Sequence, residues 1–147
     1  MEKVFVDANT IISGLLFHGN EAVLLKLGKL RAVQLVVNYH VMKEVRRVLT
    51  GKDFHLEDEE QNRLIKHMLE CVSLVEGPSR KDIKKHLGLL KDKKDVPIVL
   101  GAKKANCEYL ITGDRELLTS EKVKKLVNPV TTSELLEKIF KLSSLPP

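Results

Sequence analysis

Val4-Phe5-Val6-Asp7, close to the start of the chain, is an apolar run that stops at a carboxylate. With no polar residue on either face, it reads as a strand buried on both sides, the kind that parallel sheets contain. Val33 to Val37 and Val72 to Val75 repeat the pattern, the second closed by Gly77-Pro78, and Tyr109 to Thr112 repeats it again before Gly113-Asp114. Lys125 to Val127 is expected to form a fifth strand. Helical segments fall between the strands. Asn20 is placed to cap a helix from Glu21 to about Lys29, and Val41, Val45, Val48 and Leu49 recur at helical spacing before Gly51. A third helix is expected from Leu56 to Cys71. Its opening run Glu57-Asp58-Glu59-Glu60 suits the positive end of the helix dipole and needs no chemistry to explain it. The lysine-rich stretch Ser79 to Lys94 is read as a short helix and a loop. Asp95 starts another helix, with Pro97 tolerated in its first turn. Thr131-Thr132-Ser133-Glu134 fits a capping box, followed by the apolar face Leu135, Leu136, Ile139 and Phe140. Strands alternating with helices imply an α/β fold: a three-layer sandwich with a central parallel sheet of about four or five strands and helices on both faces. Without a repeat or linker, the expectation is one domain over residues 1–142 and a frayed tail over 143–147.

Composition narrows the function classes. Of the 147 residues, 43% are hydrophobic, enough for a core, yet no apolar run approaches the roughly 20 residues of a membrane span. Met1-Glu2-Lys3 leads straight into the first strand with no signal-peptide pattern, so a cytoplasmic protein is expected. Cys71 and Cys107 form no CxxC pair and read as small core residues. The net charge of +5 suits an anionic partner, and lysines cluster at Lys81, Lys84, Lys85, Lys91, Lys93 and Lys94 and again at Lys103, Lys104, Lys122, Lys124 and Lys125. With no Trp and two Tyr, a base-stacking platform is not expected, and nucleic acid would be held mainly by its phosphates.

The carboxylates carry the chemistry. Ligands of an open parallel sheet bind beyond the carboxyl ends of its strands. Asp7 and Asp114 each follow a strand, and Asp95 opens a helix, which places it on the same rim. Glu44 borders the apolar stripe of its helix, while Lys43, Arg46 and Arg47 point away. Four converging acids repel one another and raise each other's pKa, a conflict that a divalent cation removes. An all-oxygen donor set selects Mg²⁺ or Mn²⁺ over Zn²⁺. Such a site can activate water and stabilise the charge of an in-line attack on a phosphodiester. For each acid the plain alternative is a helix cap or, for Glu44, a surface ion pair.

These residues resemble the PIN-domain family of small metal-dependent nucleases. The block Val4-Phe5-Val6-Asp7-Ala8-Asn9-Thr10-Ile11-Ile12-Ser13-Gly14 is similar to the family's first strand and first acid. Asp95-Val96-Pro97-Ile98 through Tyr109-Leu110-Ile111-Thr112-Gly113-Asp114 is similar to its third acid, helix, strand and fourth acid. Glu44 falls where the family keeps its second acid, and the resemblance spans about residues 3 to 130. It implies that Asp7, Glu44, Asp95 and Asp114 are catalytic metal ligands, and that Asn9, Thr10 or Thr112 orients a carboxylate or touches a phosphate, with Ser13 a further candidate. Asp92 and Glu116 are additional acids nearby, and family members often carry Asp where Glu116 stands. The implied activity is an endoribonuclease acting on single-stranded RNA. Many members are the toxins of toxin–antitoxin pairs, which implies an antitoxin partner and a homodimer, with the helix from Leu56 to Cys71 a candidate interface. Other members act in RNA processing.

Two rival readings stand beside this one. An aspartyl-phosphate phosphatase could use Asp7 as its nucleophile, but the second acid such enzymes place two residues later is Asn9 here. A domain that binds RNA or protein without turnover is the alternative the sequence leaves open. The five histidines show no HxxxH and no His/Cys spacing for zinc, and neither a GxSxG elbow nor a glycine-rich phosphate loop occurs.

Overall fold

The structure, a computed structural model, describes the backbone of residues 2–143 and the side chains of residues 2–141; of the tail expected over 143–147, Ser143 ends the last helix and residues 144–147 lie outside the described residues. In chain order the elements are β1 (Lys3–Val6), α1 (Ala8–Leu16), α2 (Asn20–Lys29), β2 (Gln34–Val37), α3 (Tyr39–Leu49), α4 (Asp58–Cys71), β3 (Val72–Leu74) and α5 (Arg80–Lys85). A 3₁₀ turn (Lys93–Asp95), α6 (Val96–Lys104), β4 (Tyr109–Ile111), α7 (Arg115–Thr119), α8 (Glu121–Lys124), β5 (Pro129–Val130) and α9 (Thr132–Ser143) complete the chain. The strands form one all-parallel sheet in the order β3-β2-β1-β4-β5. Helices cover both faces, as the alternation of strands and helices predicts.

The order of the strands positions the site. From β1 the chain steps outward through β2 to β3, then returns to the opposite flank of β1 as β4 and continues to β5. Right-handed crossovers therefore put the helices after β1 and β2 on one face and those after β3 and β4 on the other. The carboxyl ends of β1 and β4 flank the point of reversal, where connections diverge and leave a crevice. β1 is its apolar base: Val4, Phe5 and Val6 are wholly buried, as are Val36 and Val37 of β2 and Leu110 and Ile111 of β4.

Asn38 ties two helices of opposite faces together. Its side chain is fully buried, accepts from the Val41 amide at 3.2 Å to cap α3, and donates to the Pro97 carbonyl of α6 at 3.2 Å. Gly101 makes room for it, since a Cβ there would lie 2.4 Å from Asn38 Nδ2.

The structure corrects several expectations. Lys125 to Val127 is a turn after α8, and the fifth strand is Pro129–Val130, because Leu110 and Thr112 donate to the carbonyls of Asn128 and Val130. Asn20 does not cap α2: Gly19 holds that position, and Asn20 instead donates to Ser133 of α9. Helices α1, α7 and α8 follow or precede acids and hydroxyl caps that the apolar periodicity does not reveal. Phe140 is 52% exposed, although Leu135 and Leu136 on the same helix are buried. Cys71 is buried as expected and Cys107 only half-buried. The capping box at α9 forms, with Glu134 Nα–H donating to Thr131 Oγ1 and Thr131 Nα–H to Glu134 Oε1, each at 3.1 Å. Among the described residues no helix is long and apolar enough to cross a membrane.

Replacing Asn38 by Ala removes the α3 cap and strands the Pro97 carbonyl, so Asn38→Ala is expected to destabilise the fold by about 2–3 kcal/mol in urea denaturation. A midpoint equal to that of the wild type would show that the link between α3 and α6 carries no stability.

Candidate metal centre

Asp7 sits where β1 meets α1. Its main chain pairs with β4, Asp7 Nα–H donating to the Ile111 carbonyl at 3.1 Å, and its side chain caps α1 by accepting from the Thr10 amide at 2.9 Å. The second carboxylate oxygen accepts from the Thr112 hydroxyl at 2.5 Å. Burial pushes the Asp7 carboxyl up from its ordinary value. The bonds from Thr10 and Thr112 counter that effect, while the charge of Asp114 adds to it. Thr10 and Thr112 therefore have an observable task, which is to hold this carboxylate in place.

Asp114 follows β4 and caps α7, its Oδ1 accepting from the Leu117 amide at 3.2 Å, while its own amide donates to the Thr112 hydroxyl at 3.1 Å. Asp95 ends the 3₁₀ turn and precedes α6, yet its side chain accepts no cap bond. Its carboxyl is pushed up to about 6, first by burial and then by the charges of Asp92, Asp114, Asp7 and Glu116. Asp92, Asp114, Asp7 and Glu116 are thus the acids near enough to act on Asp95.

Asp7, Glu44, Asp92, Asp95 and Asp114 all line one cleft of about 590 Å³. Its walls also carry His40 and the cations Lys43, Arg47 and Lys94. Lys43 and Arg47 had been expected to point away from the core, and they do, but the face they occupy is the wall of the cleft. The charge of Lys43, together with burial as the larger cause, lowers the His40 pKa.

Glu44 is less buried than its position beside the apolar stripe suggests. Its side chain is 41% exposed and is held by Arg47 one turn on, with bonds of 3.0 Å from Nε and 2.6 Å from Nη2. This bidentate pair lowers the Glu44 pKa. Glu116 does not line the cleft. Its Oε2 accepts from the Lys91 amide at 2.9 Å, which fastens α7 to the loop that carries Asp92 and Asp95. Asp92 uses one oxygen to accept from the Lys94 amide. Ser13 donates to Glu21 rather than to an acid of the cleft.

The donor set suits a hard divalent cation. It is made of carboxylate oxygens, one of which belongs to an acid with no hydrogen-bond donor of its own, and the acids repel one another. Among the described residues no three His, Cys, Asp or Glu side chains are gathered as a cage. On the α3 side Glu44 is engaged by Arg47. His67 and Cys71 form the one His/Cys pair at helical spacing, with Sγ 3.9 Å from Nε2, and no third ligand joins them.

A family model described as PIN domain matches residues 3–116. Solved structures agree in fold. PAE2754 from Pyrobaculum aerophilum superposes with a TM-score of 0.70 at 20% identity, covering 95% of this chain and 96% of that one. VapBC2 from Rickettsia felis, bound to a DNA fragment from its promoter, superposes with a TM-score of 0.64 at 14% identity, covering 86% and 98%. FitAcB from Neisseria gonorrhoeae does so with 0.61 at 16%, covering 88% and 98%. No curated protein matches the chain in sequence.

A raised folded pKa means that the ionised Asp95 destabilises the fold. That penalty is absent below the ordinary value of 3.8 and grows as pH rises through about 6. Asp95→Asn is therefore expected to raise the melting temperature above pH 6.5 in metal-free buffer and to leave it unchanged below pH 4. An equal shift at both pH values would show that the gain has nothing to do with charge.

Proposed function

The chain belongs to the PIN-domain family, and on that premise we propose that it is a Mg²⁺- or Mn²⁺-dependent endoribonuclease that hydrolyses phosphodiester bonds of single-stranded RNA. The observation that carries the reading is the cleft at the reversal point of the sheet, which Asp7, Glu44, Asp95 and Asp114 all line and where burial, with the charges of Asp92, Asp114 and Asp7 added, pushes the Asp95 carboxyl up to about 6. Asp7, Asp95 and Asp114 would hold the cation, with Glu44 joining after it leaves Arg47. When bound, such a cation supplies an activated water and neutralises the charge that builds on the phosphodiester.

The residues of the chain do the rest. Thr10 and Thr112 keep Asp7 from rotating. Lys43 and Lys94 on the cleft wall offer phosphate contacts, and Arg47 becomes a bidentate phosphate ligand once Glu44 turns inward. Glu116 keeps the loop bearing Asp92 and Asp95 against α7. A role as the toxin of a toxin–antitoxin pair, with an antitoxin partner, is supported by the family and by the fold shared with VapBC2 and FitAcB; a homodimer is part of the same proposal. The net charge of +5 agrees with work on RNA, and a cytoplasmic location is part of the same proposal.

The test is cleavage of a labelled single-stranded RNA in Mn²⁺ or Mg²⁺, with EDTA and Asp7→Asn as controls. Asn fills the same volume and still accepts from Thr10, but a neutral amide binds a hard cation poorly. Cleavage is expected with metal and wild-type protein, and none with EDTA or the variant. Metal-independent cleavage, or full activity of Asp7→Asn, contradicts the proposal. A folded wild-type protein with no activity favours the reading as an RNA- or protein-binding domain.

A further inference from the structure

A second hollow, of about 240 Å³, adjoins the acid cleft. Asn9 lines both, and the hollow's floor at Thr112-Gly113 runs directly into Asp114. Its walls come from α1, the first turn of α2 and the start of α9. The two cavities differ sharply in charge. The cleft has Lys43, Arg47 and Lys94 on its wall, whereas the second hollow has no lysine or arginine and one charged residue, Glu21.

That difference selects the occupant. A phosphate entering the hollow would meet the Glu21 carboxylate with no cation to offset it. At the start of α9 the Thr131 amide is taken by the Glu134 side chain and the Glu134 amide by Thr131 Oγ1, which leaves the amides of Thr132 and Ser133 as the main-chain donors there. A neutral group rich in donors fits instead. Glu21 Oε1 accepts from Ser13 at 3.3 Å, and its Oε2 has no partner among the described residues. Hydroxyls of Thr131 and Thr132 and the amide of Asn9 supply further polar contacts. No aromatic side chain lines the hollow, so a base here would be read by its edge and not by stacking.

Gly113 points the same way by a separate route. It has no left-handed φ, and a Cβ added to it would meet nothing within 4 Å. The fold does not require a glycine at this position. What the missing side chain provides is an open floor between the hollow and Asp114.

We infer that this hollow is the subsite for the nucleoside next to the scissile phosphate, and that Glu21 accepts the paired N–H donors of a guanine edge. The inference rests on the nuclease reading and names the base it prefers. Guanine alone among the four bases presents two adjacent N–H donors, N1–H and the N2 amino group, to a carboxylate. Adenine and cytosine set a ring nitrogen acceptor beside their amino group, and uracil flanks its one N–H with carbonyls, so each brings an acceptor against Glu21.

The test follows backbone amides of the ¹⁵N-labelled protein by NMR during titration with the 5′-monophosphates of guanosine, adenosine, cytidine, uridine and deoxyguanosine. Guanosine and deoxyguanosine monophosphates are expected to shift Ser13, Glu21, Gly113 and Ser133, with several-fold tighter binding than the other three. Glu21→Gln is expected to weaken guanosine monophosphate about tenfold, the loss of a charge-assisted pair. Gly113→Leu, which the fold has room for, is expected to abolish the shifts in the hollow. Equal binding of all bases, or loss of binding with the deoxy sugar, overturns the edge-reading assignment. Shifts confined to Lys43, Lys94 and Asp95 overturn the subsite and leave the nuclease reading standing. No shift at either cavity contradicts both.

Discussion

The Asp7 carboxylate is buried at the end of β1, and its neighbours on α1 and β4 hold it ionisable and still. Two donors hold it, the Thr10 amide from the helix that follows and the Thr112 hydroxyl from the neighbouring strand. The second bond requires β1 and β4 to be adjacent, parallel and in a register that sets Val6 against Ile111. The adjacency follows from the reversal in strand order, so the topology and the chemistry meet in one hydrogen bond. The same Thr112 hydroxyl accepts the amide of Asp114 and so fixes the second acid relative to the first.

The other acids are placed by longer routes. Asp95 reaches the rim through α6, whose start is tied by Asn38 to the start of α3, and α3 carries Glu44 one turn before Arg47. The charges remain unbalanced: Asp95 is pushed toward neutrality while Glu44 is held ionised by a cation from its own helix. On the proposed reading, a divalent cation held by Asp7, Asp95 and Asp114 would offset the repulsion around Asp95 and would compete with Arg47 for Glu44.

Much of this was legible in the sequence. The apolar runs ending at Asp7 and Gly113-Asp114 gave away the strands and their shared rim because buried parallel strands show no alternation. Those runs, with Asp95 before Val96-Pro97, also carried the family resemblance. Glu44 was found by its helical face, but its pairing with Arg47 was not, since periodicity says which face a residue occupies and nothing of which neighbour it grasps. Asn38 had a readable signal, an Asn three residues before the buried Val41, which is a cap spacing. Its second bond to Pro97 is a contact across the sheet and has no trace in local sequence. The strand at Pro129–Val130 was misplaced to Lys125–Val127 because two residues paired on one side carry too little pattern to be read. Glu116 was visible as an acid near the site, but its bond to the Lys91 amide was not, and Glu21 drew no notice, because one acts on a segment remote in the chain and the other borders a hollow formed by several elements.

The central claim is that these carboxylates share a divalent cation. The most direct measurement is titration of the ¹⁵N-labelled protein with Mn²⁺, reading the paramagnetic loss of amide signals residue by residue. The account predicts saturable loss centred on Asp7, Asp95 and Asp114 and extending to Glu44, absent in Asp7→Asn. Loss spread over the exposed acids of α4 at Asp58, Glu59 and Glu60, with the cleft residues no more affected than these, would contradict it.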